Sequence, residues 1–291
     1  MFTQNLHAHG QFDDGKSTLE EMLLASKAAG LKSVGFSVHS PLPYGGVWAC
    51  EAAKLPQYMA EVRRLQEKYA EEIEVFLGVE WDVISQDMDL SPFDYAIGSV
   101  HHLPLSMRLP ENCPKELAAM FAVDYPSVDE SGDATARCLE GHFGGDTDAY
   151  AKAYFAEVKK VAAQEKAQIV GHFDLLTKFD EQRAFFTPPS KAYLDAALDA
   201  MEALVKAGKI FEVNTGAISR GYRSAPYPSK ELLCALNEMG GKVTISADTH
   251  HVSSVACAFD LAEKAIRESG FKEIWRLVRV EGKPVFTAQE L

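Results

Sequence analysis

Several kinds of sequence feature are scarce in this 291-residue chain, and each scarcity excludes a class of protein. The five cysteines form no C-x-x-C pair, which indicates reduced thiols in a cytoplasmic protein rather than a disulfide framework. No apolar run approaches the roughly 20 residues of a membrane helix, and no basic, apolar leader opens the sequence, so no membrane partner is expected. The formal net charge of −13 argues against a nucleic-acid partner, because phosphates need a basic face.

Motifs for nucleotide cofactors and for nucleophilic side chains are also missing. Neither a Walker loop nor a G-x-G-x-x-G run follows a strand-like segment, so a nucleotide cofactor is not expected. The sequence has no G-x-S-x-G turn, and no cysteine has an obvious cationic setting beside the end of a strand-like run. A serine or cysteine nucleophile is therefore not favoured.

Histidine, by contrast, recurs with the spacing of metal ligands. His7 and His9 stand at i and i+2, and on an extended segment two such side chains point to the same side and can bind one ion. The spacing returns in Asp248-Thr249-His250 and in His172-Phe173-Asp174, each after an apolar run. Three strand-like runs that each end in a pair of metal-type ligands indicate a metal site.

Strand-like and helical patterns alternate along most of the chain. Strands are predicted at about 33–38, 74–79, 93–100, 167–171, 209–213, 242–246, 274–280 and 284–286. The first helix is predicted to begin at an S-x-x-E capping box, from Ser17 to Glu20. Because parallel strands are joined by helical crossovers, the alternation favours a barrel or a doubly wound sheet in one domain over residues 1–291.

The stretch at about 103–146 breaks this rhythm. It contains prolines, glycines and an acidic run, and its only predicted helix covers 115–122. Because a connection this long inside a compact domain is usually functional or mobile, we interpret it as an insertion over the active face. A partly disordered surface loop is the alternative interpretation.

Most of the nine histidines follow predicted strands. In barrels and open α/β sheets the carboxyl ends of the strands form the ligand-binding edge, so we expect these side chains to converge there with Asp14, Glu80 and Asp248. The histidines at or just beyond strand ends are His7, His9, His39, His101, His172, His250 and His251. This many imidazole and carboxylate groups suits more than one divalent ion. Neighbouring ions can clamp a phosphoryl group and lower the pKa of a bridging water to near 7.

The spacing leaves several assignments open. His102 and His251 directly follow ligand candidates and point the opposite way on an extended chain, which favours a supporting or surface role. Asp13 competes with Asp14 as a ligand, and alternation does not decide between them. Asp82 is interpreted as solvated surface.

Seven motifs, in order, resemble those of the polymerase and histidinol phosphatase (PHP) family of metal-dependent phosphoesterases. They are His7-Ala8-His9, Asp13-Asp14-Gly15, the strand ending at His39, Gly78-Val79-Glu80, Gly98-Ser99-Val100-His101, Gly171-His172-Phe173-Asp174 and Ala247-Asp248-Thr249-His250. Three further segments look like the histidinol-phosphate phosphatase branch: Gly98 to His102, Glu212-Val213-Asn214-Thr215 and Pro226-Tyr227-Pro228-Ser229. Val38 and Asn5 depart from acidic residues that are common at these positions in the family.

The resemblance implies a distorted (β/α)7 barrel with three divalent metal ions, either zinc, manganese or iron, at its C-terminal face. By position, His7, His9, Glu80 and Asp248 would hold the first ion. Glu80, as a bridging ligand, would hold the second with His101 and His172. Asp14, His39 and His250 would hold the third.

The implied activity is hydrolysis of a small phosphorylated substrate, L-histidinol phosphate, to L-histidinol and phosphate in histidine biosynthesis. The nucleophile would be a hydroxide bridging the ions beside Glu80. Arg220 and Arg183 follow site-facing strands and are candidates for binding the phosphate, and His102 or His251 is a candidate to protonate the leaving alkoxide. The alternatives are a PHP-type phosphomonoesterase or phosphodiesterase of different substrate, and a non-catalytic metal-binding regulatory module.

Overall fold

The computed structural model describes residues 2–106 and 123–291. Its strands are β1 (Gln4–Asn5), β2 (Ser33–His39), β3 (Glu74–Asp82), β4 (Tyr95–Ser99), β5 (Leu105–Ser106), β6 (Val123–Asp124), β7 (Ala167–Val170), β8 (Ile210–Asn214), β9 (Lys242–Ser246), β10 (Glu273–Val280) and β11 (Lys283–Glu290). Seven of them form one sheet in the order β1-β2-β3-β4-β7-β8-β9, in which every neighbouring pair is parallel. The other four form two antiparallel pairs, β5 with β6 and β10 with β11.

Helices connect most of the neighbouring parallel strands, as the alternation predicts, whereas β3 and β4 are joined by an irregular segment. The helices are α1 (Leu19–Ala28), α2 (Leu55–Lys68), α3 (Gly132–Phe143), α4 (Thr147–Lys159), α5 (Asp180–Arg183), α6 (Lys191–Lys206), α7 (Gly216–Ser219), α8 (Lys230–Glu238) and α9 (Phe259–Glu268). The capping box of α1 lies one residue later than predicted: Thr18 accepts a hydrogen bond from the Glu21 backbone N–H, and the Glu21 carboxylate accepts one from the Thr18 N–H. None of the helices within the described ranges is long and apolar enough to cross a membrane.

The two ends of the seven-stranded sheet meet just beyond β1 and β9. The Thr249 N–H donates to the His7 carbonyl at 3.1 Å, and the His9 N–H donates to the Thr249 carbonyl at 2.9 Å. Strands such as β2, β4 and β8 are buried along their whole length, which is typical of parallel strands with helices outside and a packed interior. The structure is a nearly closed barrel, and the predicted distorted (β/α)7 barrel is confirmed.

Tyr95 belongs to a small buried cluster with Leu6, Phe76, Ile97, Ile169 and Leu277. The Tyr95 hydroxyl donates hydrogen bonds to the carbonyls of Leu6 and Phe36. A Cβ atom on Gly35 or Gly78 would lie 2.3 Å or 2.2 Å from this side chain, so β2 and β3 approach it only because both residues are glycines. Tyr95 thus fixes the spacing of the strands that carry the site residues.

The predicted insertion at about 103–146 is described only in part. The predicted helix at 115–122 lies outside the described residues. Beyond it, α3 was not predicted, because its two glycines weaken the helical pattern; the Ser131 hydroxyl accepts a hydrogen bond from the Ala134 N–H and so starts the helix. Residues 127–130, between β6 and α3, reach the edge of the barrel that carries the histidines.

Candidate metal centre

Histidine and carboxylate side chains gather at the carboxyl ends of the parallel strands. Three overlapping groups place their ligand atoms within 4.8 Å of one another. They are His9, Asp14, His39 and His250; His7, His9 and Asp248; and His39, Glu80 and His101. The convergence expected from the sequence is therefore present, although the ligand residues lie up to 243 positions apart in the chain, from His7 to His250.

Glu80, in β3, is the centre of this cluster and is almost completely buried. Its Oε2 lies 2.8 Å from His39 Nδ1 and 3.1 Å from His7 Nε2. Its Oε1 lies 2.9 Å from His172 Nε2 and 3.3 Å from His101 Nε2. One carboxylate thus contacts imidazoles from four different strand ends, which is the arrangement expected of a bridging ligand.

Two aspartates occupy the side of the cluster nearer the cavity. Asp248 Oδ1 lies 3.6 Å from His9 Nε2 and 3.7 Å from His250 Nδ1. Asp14 Oδ1 lies 3.1 Å from His250 Nε2 and 3.7 Å from His39 Nε2. Asp14 rather than Asp13 therefore faces the other ligands. His9 belongs to two groups at once, so the division into three separate ligand sets stays a prediction.

Several ligand atoms of the cluster are buried without a hydrogen bond among the described residues. They include Nε2 of His7 and of His9, Oδ1 of Asp14 and Oε2 of Glu80. Burial alone would raise the pKa of Glu80, but the charges of His7 and neighbouring imidazoles hold it well below its usual range. Buried nitrogen and oxygen atoms that converge without hydrogen bonds fit divalent ions such as zinc, manganese or iron.

Three carboxylates outside the cluster orient its imidazoles. Glu212 in β8 lies 2.7 Å from His7 Nδ1, and Asp13 lies 2.7 Å from His9 Nδ1. Asp82 lies 3.1 Å from His101 Nδ1. A carboxylate on Nδ1 fixes the tautomer and aims Nε2 at a metal.

The expectation that Asp82 is solvated surface is wrong, because its side chain is buried beneath His101. Its position at the end of β3, two residues after Glu80, was the sequence signal for this contact. Glu212 carried a similar signal, since it lies in β8 two residues before the end of the strand.

A cavity of about 590 Å³ opens over the cluster. Its walls include Arg220 and Lys178, together with Asp129 of the insertion. Arg220 Nη2 lies 3.0 Å from Asp248 Oδ2, and Lys178 Nζ lies 2.9 Å from Asp129 Oδ2. Burial would raise the pKa of Asp129, but the Lys178 charge holds it below its usual range. Sequence reasoning missed Lys178, which follows β7 by eight residues.

Of the three remaining predicted residues, His102 lines this cavity and His251 and Arg183 do not. His102 is buried, lines the cavity and stacks on Trp48 with ring centroids 5.4 Å apart. His251 is exposed and contacts Ser253 Oγ at 2.8 Å. Arg183 is on the surface in an ion pair with Asp133. Neither His251 nor Arg183 is among the described residues that line the cavity.

The fold and the metal-type cluster together define a metal-binding α/β barrel of seven parallel strands. A model of the PHP domain matches residues 5–216. The chain therefore belongs to the PHP-domain family, and the resemblance noted in the sequence is confirmed at that level.

The curated relatives of this chain include proteins named as histidinol-phosphatases. A probable histidinol-phosphatase of Deinococcus radiodurans is 27% identical over 266 residues, covering 88% of this chain and 89% of the relative. A probable histidinol-phosphatase of Schizosaccharomyces pombe is 26% identical over 290 residues, covering 92% and 87%.

Two solved structures share the fold. A putative histidinol phosphatase from Listeria monocytogenes has a TM-score of 0.74 at 18% identity, covering 88% of this chain and 98% of that one. A histidinol phosphate phosphatase from Lactococcus lactis, complexed with zinc, L-histidinol and phosphate, has a TM-score of 0.66 at 20% identity, covering 97% and 98%. At these identities the two structures bear on the fold of this chain alone.

Proposed function

We propose that this protein hydrolyses L-histidinol phosphate to L-histidinol and phosphate. The observation that carries the proposal is the Glu80-centred cluster of imidazoles and carboxylates on the floor of a cavity that also holds cationic side chains. The names of the curated relatives, and the zinc, L-histidinol and phosphate bound by the Lactococcus protein, support the choice of substrate.

Three divalent ions would be held by the cluster: one by His7, His9, Glu80 and Asp248, another by Glu80, His101 and His172, and the third by Asp14, His39 and His250. Bound there, zinc, manganese or iron would place positive charge beside the phosphate and supply hydroxide at neutral pH by lowering the pKa of water. The chain itself contributes the fixed geometry: Glu212, Asp13 and Asp82 hold three imidazoles in position.

Arg220 and Lys178 are the proposed phosphate-binding side chains. Both line the cavity and both are already held by carboxylates, Arg220 by Asp248 and Lys178 by Asp129. A guanidinium and an ammonium fixed in this way can stabilise negative charge that develops on the phosphate oxygens, with little reorganisation. Arg183 is not retained in this role, since it is paired with Asp133 on the surface.

His102 is the proposed proton donor to the leaving alkoxide. It lies in the cavity wall, and its buried Nδ1 has no hydrogen-bond partner among the described residues. Stacking on Trp48 holds the ring in place. His251 is less suitable because it is not among the described residues that line the cavity and its ring contacts Ser253 instead.

Two further residues of the cavity wall suit a cationic, aromatic leaving group. Trp48 presents an aromatic surface, and Glu130 lines the cavity with an exposed carboxylate that has no ion pair to any residue in the described ranges. An ammonium or imidazolium group can pair with Glu130 while its ring contacts Trp48.

Metal analysis of the purified protein combined with kinetics on a panel of phosphoesters tests the proposed function. We expect bound divalent metal and a kcat/KM for L-histidinol phosphate that clearly exceeds those for aryl phosphates and dinucleotides. Equal kcat/KM values would indicate a phosphoesterase of different substrate. Metal-loaded protein that releases no phosphate from any ester would indicate a non-catalytic metal-binding module.

Two variants with matched controls test the assigned side chains. Lys178→Met should lower kcat/KM at least tenfold, whereas Lys166→Met, which changes an exposed lysine, should not. Glu130→Gln should raise KM for histidinol phosphate with little change for phenyl phosphate, and Glu140→Gln on α3 should change neither. A loss that is the same for both substrates would contradict the role of Glu130.

A further inference from the structure

The ammonium group of Lys178, one of the two proposed phosphate-binding cations, is held by more than one kind of contact. Lys178 lines the cavity, yet its side chain is buried and the residue is only 8% exposed. Its Nζ donates to the Asp129 carbonyl at 2.8 Å and to Asp129 Oδ2 at 2.9 Å. Because an ammonium group has three N–H donors, one donor is left without a hydrogen bond among the described residues. That donor is available to a phosphate oxygen.

Two aromatic rings lie beside the same ammonium group. Lys178 Nζ is 5.3 Å from the centroid of the Tyr222 ring and 5.6 Å from the centroid of the Phe179 ring. The two rings meet edge to face, with their centroids 5.2 Å apart. A cation within about 6 Å of an aromatic centroid is attracted by the ring. Phe179 is the neighbour of Lys178 in the chain, whereas Tyr222 reaches the ammonium from the loop after β8.

Hydrogen bonds hold Tyr222 against the segment that carries Lys178. The Tyr222 carbonyl accepts a hydrogen bond from Gln182 Nε2 at 2.7 Å. The next residue in the loop, Arg223, donates from Nη1 to the hydroxyl of Thr177. These contacts join the loop to the chain on both sides of Lys178, four residues after it and one residue before it. The position of the Tyr222 ring relative to the ammonium is therefore fixed by both segments.

We propose that Tyr222 is a positioning residue whose ring holds the Lys178 ammonium group at the cavity with one N–H donor free for phosphate. Tyr222 is not among the described residues that line the cavity, so it acts on phosphate through Lys178. This role rests on the proposed function, in which Lys178 binds the phosphate. Arg220 stands in the same loop, so the loop after β8 carries one phosphate-binding cation and positions the other.

Binding of inorganic phosphate to the metal-loaded protein, measured by calorimetry, tests this role. Tyr222→Leu should weaken phosphate binding about three- to tenfold, which is the loss expected from one cation–π contact. Tyr222→Phe is the matched variant, because it keeps the ring and removes only the hydroxyl, and it should retain the wild-type affinity. Should Tyr222→Leu fail to fold, Tyr222→Met removes the ring while filling the space with a flexible apolar side chain. Unchanged phosphate affinity in the folded variant without the ring would overturn the proposal.

A double-mutant cycle with Lys178→Met separates positioning from a general structural role. Without the ammonium group, Tyr222→Leu should change the phosphate affinity by less than about twofold, because coupled residues give non-additive losses. An equal loss with and without Lys178 would overturn the proposal, since the ring would then act through the packing of the loop.

The kcat/KM values of the same proteins for L-histidinol phosphate and phenyl phosphate test the proposed function separately. Equal values for the two esters in the wild-type protein would reject the proposed substrate, whereas a phosphate-binding loss that depends on Lys178 would still support the role of Tyr222. A clear preference for L-histidinol phosphate, combined with a loss that does not depend on Lys178, would support the function and reject the role of Tyr222.

Discussion

The carboxylate of Glu212 offers the sharpest test of how this chain prepares a metal centre. Glu212 is completely buried in β8, and its Oε1 lies 2.7 Å from His7 Nδ1. Its Oε2 accepts hydrogen bonds from the His172 N–H at 3.2 Å and from Asn214 Nδ2 at 3.0 Å. A Glu212→Gln variant keeps the shape but replaces one acceptor oxygen with an NH₂ donor. If the new NH₂ group faces His7, it meets the Nδ1–H donor. If the amide is turned the other way, the NH₂ group meets the His172 N–H and Asn214 Nδ2 donors.

The size of the effect follows from these contacts. A buried donor left without an acceptor costs about 1–3 kcal/mol. Loss of a carboxylate that orients a metal-binding imidazole typically lowers metal affinity about 10–100-fold, which corresponds to roughly 1.4–2.8 kcal/mol. The two figures agree, and we therefore expect the metal affinity of Glu212→Gln to fall by one to two orders of magnitude.

Titration of the protein against a chelator of known zinc affinity measures this change. Glu238→Gln is the matched control, because Glu238 is an exposed residue on α8. The stability of the metal-free variant should be measured in parallel, so that a general loss of folding is distinguished from a weaker site. Wild-type zinc affinity in a folded Glu212→Gln protein would refute the orienting role of this carboxylate.

Three further predictions concern stability. Removal of metal by a chelator is expected to lower the Tm, and added zinc should restore it, because metal binds only the folded cluster; a Tm that chelation leaves unchanged would contradict a metal centre. The pKa of Glu20 is about 2, since Lys68 and two other side chains donate hydrogen bonds to it. Because this folded-state value lies below the unfolded value of about 4.3, the contribution of Glu20 is present above about pH 4.3 and is lost as the pH falls toward 2. The difference in unfolding free energy between wild type and Glu20→Gln, measured in urea, should therefore shrink from pH 7 to pH 3, and a constant difference would be contrary evidence. Gly78→Ala places a methyl group 2.2 Å from the Tyr95 ring and should lower the unfolding free energy by about 1–3 kcal/mol; Gly141→Ala, in open space on α3, should not lower it.

Much of the metal centre could be predicted because its ligands follow a local rule. Side chains two residues apart on a strand share a side, and parallel strands end at the same edge of a barrel. His7, His9 and Asp248 could therefore be assigned to one edge without knowledge of any contact. The helical crossovers likewise followed from the spacing of apolar residues.

The supporting contacts could not be predicted in this way. Whether Asp13 or Asp14 faces the cluster depends on the path of a turn, and alternation has no meaning there. Asp82 was misassigned because the strand was predicted to end at about residue 79, which placed Asp82 in a loop, whereas β3 continues to Asp82. Lys178 was missed because it follows a short irregular turn after β7 rather than a strand end.

The sequence by itself determined most strands of the barrel and the residues at their carboxyl ends, since both depend on short-range periodicity. Only the tertiary structure decided which of those residues meet. His7 and Glu212 are 205 positions apart, and they touch because the barrel closes around Tyr95 with a fixed stagger between strands. Barrel closure and strand register are set by packing of the whole interior, so no local pattern contains them.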